Sequence, residues 1–133
     1  MSTVLTHPTY EERVAGFDWR LAEDELGVSR GGRVNIGWHC SDRVCELGRA
    51  RVPALIWEDF AGNGRVYTFD DLRVLSNTIA RFLQGLGVVP GERVCLFMDR
   101  VPELYIGFLG VLKMGAIVQP LFSAFDVTNQ NSK

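Results

Sequence analysis

A chain of 133 residues, 47% hydrophobic and 23% charged, has the composition of one small globular domain or of part of a larger one. Its formal net charge of −2, with 14 basic residues scattered along the length, provides no basic footprint for nucleic acid or for an anionic membrane. The opening MSTVLTHPTYEER has neither a basic start nor an apolar stretch, so export is not expected, and Cys40, Cys45 and Cys95 read as reduced thiols in a cytoplasm.

Residues 1–30 carry no sustained period and read as an N-terminal extension. EERVAGFDWRLAEDELG predicts a short surface helix that offers Phe17, Trp19 and Leu21 to something larger. From Val34 the pattern sharpens. Ile36, Cys40, Val44 and Leu47 recur at spacings of four, four and three, one face of a helix ending near Gly48. That face makes Cys40 a buried thiol and leaves His39 at the surface. His39, Cys40 and Cys45 fall one ligand short of a structural zinc site, and no second pair follows, so no metal is expected.

PALIWED (53–59) and RVYTF (65–69), separated by Gly62-Asn63-Gly64, predict a β-hairpin. Thr68 and Asp71 have the spacing of a capping box, with Asp in place of the usual Glu. The helix they open carries Leu72, Leu75, Ile79, Phe82, Leu83 and Leu86 on one face, with Arg73, Asn77, Arg81 and Gln84 turned away. Gly87 suits its C-terminal end, and Pro90-Gly91 the turn beyond. Asp70 and Asp71 are explained by the helix dipole and Glu58-Asp59 by a strand end, so neither pair is assigned acid–base work.

RVCLFMD (93–99) reads as a strand covered on both faces. Pro102 and Glu103 fit the first turn of a helix that Gly115 ends, and AIVQPLF (116–122) is another apolar strand. Strand, helix and strand in this order predict a βαβ unit with parallel strands and a right-handed crossover. The helix is apolar on nearly every side. Its uncharged run, Leu104 to Leu112, is far short of the ~20 residues of a membrane span, and Lys113 follows it at once. Such a helix is instead covered all round, with Gly107 and Gly110 admitting a close neighbour. Each large apolar side chain left in water forfeits ~1.5–3 kcal/mol. The covering layers are therefore expected to lie outside these 133 residues.

The order of the blocks RVNIGWHCSDR, ALIWED, YTFDDLRVLSNTIARFLQGLGVVPGERVCLFM and VPELYIGFLGVLKMGAIVQPLFSAF resembles the N-terminal part of the AMP-forming acetyl-CoA synthetases, within the adenylate-forming enzymes. The block from Tyr67 to Pro120 is similar to that superfamily at large; NIGWHCSDR and PLFSAF point to its acetate and short-chain branch. The resemblance implies an α/β fold, the N-terminal part of the adenylate-forming large domain. It also implies a ligase using ATP, Mg²⁺ and CoA on acetate or a short-chain carboxylate, through an acyl-adenylate. It places Phe122, Ser123 and Ala124 where the CoA arm approaches.

The family's Gly/Ser/Thr-rich phosphate loop has no counterpart here, SRGGR (29–33) being the nearest stretch, and the adenylate motifs and C-terminal lysine have none either. After LFSAF the sequence turns to the polar DVTNQNSK. The expected organisation is an extension (1–30), a partial AMP-binding domain (31–125) and a divergent polar tail (126–133). The expected function is a piece of an acetate–CoA ligase, inactive alone. The alternative is an interaction module that pairs with a synthetase chain, or with itself, through exposed apolar surface.

Overall fold

The structure, a computed structural model, describes residues 8–28 and 32–122. They belong to two compact units that divide between Val34 and Asn35. The expected tail, 126–133, lies outside the described residues.

In the first unit the single predicted helix is two. Helix α1 (Tyr10–Ala15) opens on a capping box in which the Thr9 amide donates to Glu12 Oε2 (2.8 Å) and the Glu12 amide to Thr9 Oγ1 (3.3 Å). Gly16 ends it. Asp18 then caps α2 (Trp19–Leu26) by accepting from the Arg20 amide at 2.8 Å. Two caps nine residues apart account for the break. Neither helix buries a residue.

The second unit begins with a correction. The face Ile36–Cys40–Val44–Leu47 does not form one helix. Helix α3 (Ile36–His39) stops at Cys40, α4 (Asp42–Val44) is a single turn, and a π-helical stretch (Cys45–Arg49) breaks at Gly48, φ +79°. The cause of the first break is Ser41, whose hydroxyl bonds back to the Gly37 carbonyl at 2.7 Å while its own backbone leaves helical geometry. Cys40, Ile36 and Leu47 are accordingly exposed and Cys45 half-buried, and it is His39 that is partly covered.

Strands β1 (Pro53–Glu58) and β2 (Gly64–Thr68) form the predicted antiparallel hairpin, with Ile56 opposite Val66. Thr68 and Asp71 make the capping box of α5 (Phe69–Gly85): the Asp71 amide donates to Thr68 Oγ1 at 3.2 Å and the Thr68 amide to Asp71 Oδ2 at 2.8 Å. Strand β3 (Arg93–Met98), helix α6 (Pro102–Lys113) and strand β4 (Ile117–Phe122) complete the unit. β3 and β4 pair in parallel, Arg93 opposite Ile117 through Met98 opposite Phe122.

The interior is built around α6, which packs against α5, α3 and β3. Val111, Met114 and Ala116 form its centre, flanked by Ala80, Leu83, Val88, Val94 and Val118. Two contacts are backbone-tight. A Cβ on Gly110 would lie 2.7 Å from Ile79 Cγ2 and 2.9 Å from the Ser76 carbonyl, and one on Gly37 would lie 2.7 Å from the Leu109 carbonyl. Gly107 has only ordinary contact with Leu96, at 3.6 Å.

Three further expectations change here. The covered face of α5 runs through Leu72, Ser76, Ile79, Ala80 and Leu83, with Asn77 and Arg73 half-covered beside it, while Leu75, Phe82 and Leu86 are exposed. Asn77 turns inward because a buried charge on α6 needs it, as described below. β3 is covered on one face only, Val94 and Leu96 inside and Cys95 and Phe97 outside. Most of the layers around α6 come from this chain itself. The surface left bare is the sheet's.

Candidate functional site

The C-terminal ends of β3 and β4 point the same way, the end of a parallel sheet at which open α/β folds place ligands. An open cleft of about 900 Å³ lies there, floored by Met98, Pro120 and Leu121 and walled by Leu104 and Tyr105 of α6 and Trp57 of β1. The hairpin is fixed to this end by a set of polar contacts. Trp57 Nε1 donates to the Arg100 carbonyl at 2.7 Å, and the Arg65 guanidinium sits over the Trp57 ring, 4.7 Å from its centroid. Arg65 Nη1 also donates to Glu103 Oε1 at 2.9 Å and to the Tyr67 hydroxyl at 3.2 Å. Glu103 occupies the first turn of α6, where its own backbone amide, and then Arg65, hold its carboxyl below the usual range. One arginine therefore joins β2, β1 and α6 beside the cleft.

Glu58, Asp59 and Asp99 also line the cleft, with one cation, Arg100. Asp59 is a turn scaffold: Oδ1 accepts from the Ala61 and Asn63 amides, and Oδ2 from the Asn63 side chain, each at 2.8 Å. The Asn63 side chain and then its amide hold the Asp59 carboxyl below its ordinary value. A lining with three carboxylates against one guanidinium does not suit phosphates. Neither the cleft nor the sequence around it offers the run of backbone N–H groups on which a triphosphate sits.

A second polar cluster lies within the helical layer. Lys113, the last residue of α6, has its side chain 6% exposed and forms an ion pair with Asp42, itself 16% exposed. Lys113 Nζ donates to Asn77 Oδ1 at 3.0 Å, and Asn77 Nδ2 lies 3.3 Å from Asp42 Oδ1. Ser41 Oγ reaches Asp42 Oδ2 at 2.9 Å. The Lys113 carbonyl accepts from Asn35 Nδ2 at 2.9 Å, so a single residue secures both ends of the segment from Asn35 to Asp42. Burial raises the Asp42 pKa, but the bonds from Lys113, Ser41 and Asn77 together outweigh it and hold the carboxyl below its ordinary value. The cluster is fully satisfied and sealed, which gives it a structural role.

Of the residues anticipated from sequence, Phe122 is the last of β4, opposite Met98 at the cleft end of the sheet. Ser123 and Ala124 lie outside the described residues. Among the described residues no three His, Cys, Asp or Glu side chains gather where a metal could be held. The Cys45 thiol is pushed up by burial and by the Asp70 charge, away from a reactive thiolate. Both polar clusters escaped sequence reasoning. Lys113 carried a signal, a lone charge in an apolar helix, which calls for a partner; nothing in CSDR marks Asp42 as that partner.

Residues 44–129 match the AMP-binding enzyme family, more than half of the chain. The chain belongs to that family. Its relatives in the AMP-binding enzyme family include the acetyl-coenzyme A synthetase of Bacillus subtilis, 40% identical over 117 residues that make up 87% of this chain and 20% of that protein. The acetyl-coenzyme A synthetase of Deinococcus radiodurans is 37% identical over 111 residues, 84% of this chain and 17% of that one. Among solved structures, an acyl-CoA synthetase of Brucella canis superposes with a TM-score of 0.77 at 34% identity, covering 90% of this chain and 21% of its own. The α/β fold is thus that of the N-terminal region of the adenylate-forming enzymes, and the chain spans about a fifth of the length of the relatives it matches.

Proposed function

We propose that this chain forms the N-terminal portion of an AMP-forming acetate or short-chain acyl–CoA ligase, an enzyme that makes acetyl-CoA from acetate, ATP and CoA through an acetyl-adenylate. The observation that carries this reading is the 40% identity over 117 residues to an acetyl-coenzyme A synthetase. In the whole enzyme ATP, Mg²⁺ and CoA are the cofactors, and the work is done in the cytoplasm. No helix among the described residues is long and apolar enough to cross a membrane.

The contribution of these residues is architectural. The hairpin, α5 and the β3–α6–β4 unit carry the end of β4 to the mouth of the cleft, and Phe122, Ser123 and Ala124 are the positions at which the CoA arm passes. The carboxylate-rich lining gives ATP no seat, and the chain alone is inactive. An acetate-dependent pyrophosphate-exchange or hydroxamate assay on the purified 133 residues is expected to read at background. Clear turnover would overturn this proposal.

A second reading is an interaction module that pairs with a synthetase chain or with its own copy. It is favoured by the exposed apolar side chains of the second unit, Ile56, Val66, Phe82, Leu86, Phe97 and Ile117 among them, which outnumber the buried ones among the described residues.

A further inference from the structure

Asn63 is the one asparagine in the sequence that precedes a glycine, and the pair sits exposed at the tip of the β1–β2 hairpin. The ladder leaves the Gly64 amide unengaged there. The Asp59 amide donates to the Asn63 carbonyl at 3.1 Å, so the next pair, Glu58 opposite Gly64, is one that exchanges no amide bonds. The Gly64 N–H therefore points out from the edge of β2 rather than across to β1, and no Cβ shields its nitrogen. We propose that Asn63 is a deamidation site, at which the Gly64 nitrogen closes a succinimide on the Asn63 side chain, and that Asp59 is its brake.

In that step the Gly64 nitrogen, having given up its proton, bonds to Asn63 Cγ. The Cγ–Nδ2 bond breaks, and Nδ2 leaves as ammonia with a proton in place of the bond. Water then opens the ring at either carbonyl to give aspartate or isoaspartate, with no oxidation or reduction. Asp59 opposes the first move. Its Oδ2 accepts from Asn63 Nδ2 and its Oδ1 from the Asn63 amide, each at 2.8 Å, so the side chain must give up a charge-assisted bond before it turns onto Gly64. The products undo what holds the tip. A carboxylate in place of the Asn63 amide faces Asp59 as a like charge, and isoaspartate adds a carbon to the main chain just before β2 begins. Asn35 and Asn77 are built-in controls. Each precedes a β-branched residue, Ile36 or Thr78, and each has both side-chain polar atoms bonded: Asn35 to Trp38 and Lys113, Asn77 to Lys113 and Asp42.

The folded 133-residue chain is aged in heavy-oxygen water at neutral and at mildly alkaline pH. Conversion at each asparagine is read by peptide mass spectrometry, with fragmentation that separates isoaspartate from aspartate. Asn63 should convert at least tenfold faster than Asn35 or Asn77, faster at the higher pH, with isoaspartate among its products. Gly64→Ala adds a methyl that meets only the Trp57 carbonyl, at 3.6 Å, and so keeps the hairpin; it should slow conversion at least tenfold. Asp59→Asn keeps an oxygen for the Ala61 and Asn63 amides but cannot accept from Asn63 Nδ2 through the other atom, and should speed conversion several-fold. Conversion at Asn63 no faster than at the two controls overturns the site. Aspartate without isoaspartate, or a rate untouched by Gly64→Ala, overturns the succinimide route, and an unchanged or slower rate in Asp59→Asn overturns the brake. None of these readouts depends on the ligase reading, which stands or falls by pyrophosphate exchange.

Discussion

Helix α6 and the sheet beneath it are written in nearly the same apolar alphabet, yet they end in different surroundings. α6 buries Pro102, Ile106, Gly107, Gly110 and Val111 between α3, α5 and β3. It even takes its one late charge, Lys113, inside with a partner. β3 and β4 bury one face and leave Phe97, Ile117 and Leu121 in water. An apolar run states that a segment is to be covered. It does not state by what, and the answer depends on which neighbours the chain itself brings.

If α6 is the finished half of this comparison, disturbing its polar and close-packed contacts should cost most. Lys113→Met leaves Asp42 ionised, largely enclosed and without its cation. Loss of one member of a buried pair is worth ~3–5 kcal/mol. The expected result is a large drop in the urea midpoint and early amide exchange at Val111. Acid should reproduce part of it. The Asp42 carboxyl is held below its ordinary 3.8 in the folded chain, so its contribution is fully present above about that pH and disappears as pH falls through the folded value. Asp42→Asn should shrink the acid limb of the stability curve by Asp42's share, leaving the part due to other depressed carboxyls such as Asp59 and Glu103; a limb of unchanged size would refute the assignment. Gly110→Ala is next. Its methyl meets Ile79 and the Ser76 carbonyl at under 3 Å, so α5 and α6 must part, at about 1–3 kcal/mol. An unchanged midpoint would show the crossing to be looser than described.

The same contrast separates what was legible in the sequence from what was not. The hairpin, the Thr68–Asp71 box, the α6 limits and the parallel pair were readable, because turn glycines, caps and proline act over three or four residues. The helix expected over 36–47 was misread, because the Ser41 hydroxyl breaks it after His39 and it runs on as a π-helical stretch from Cys45, and neither changes the apolar spacing; only its end near Gly48 was legible. The inward turn of Asn77 was invisible for another reason: its partners are 35 and 36 residues away, on different elements. Trp57, Arg65 and Glu103 gather beside the cleft by the same kind of long-range contact. Phe122 was placed by family resemblance alone, and no local pattern around it would have singled it out.

The smallest expected effect is also the one that tests the contrast most directly, because it compares two neighbours on one strand. Leu96 faces α6 and is half-buried; Phe97 faces out. Leu96→Ala should cost about 2 kcal/mol, the low end for a leucine that is only partly enclosed. Phe97→Ser removes more apolar surface, yet should stay within about 0.5 kcal/mol, since the ring is already in water before and after unfolding. Paired urea titrations of the two variants measure this. Equal losses would mean that the outer face is already covered in the isolated chain, and the distinction between a finished helix and an unfinished sheet would fall with it. A loss confined to Leu96 shows that burial at this sheet follows the pleat, one residue in and the next out, rather than hydrophobicity as such.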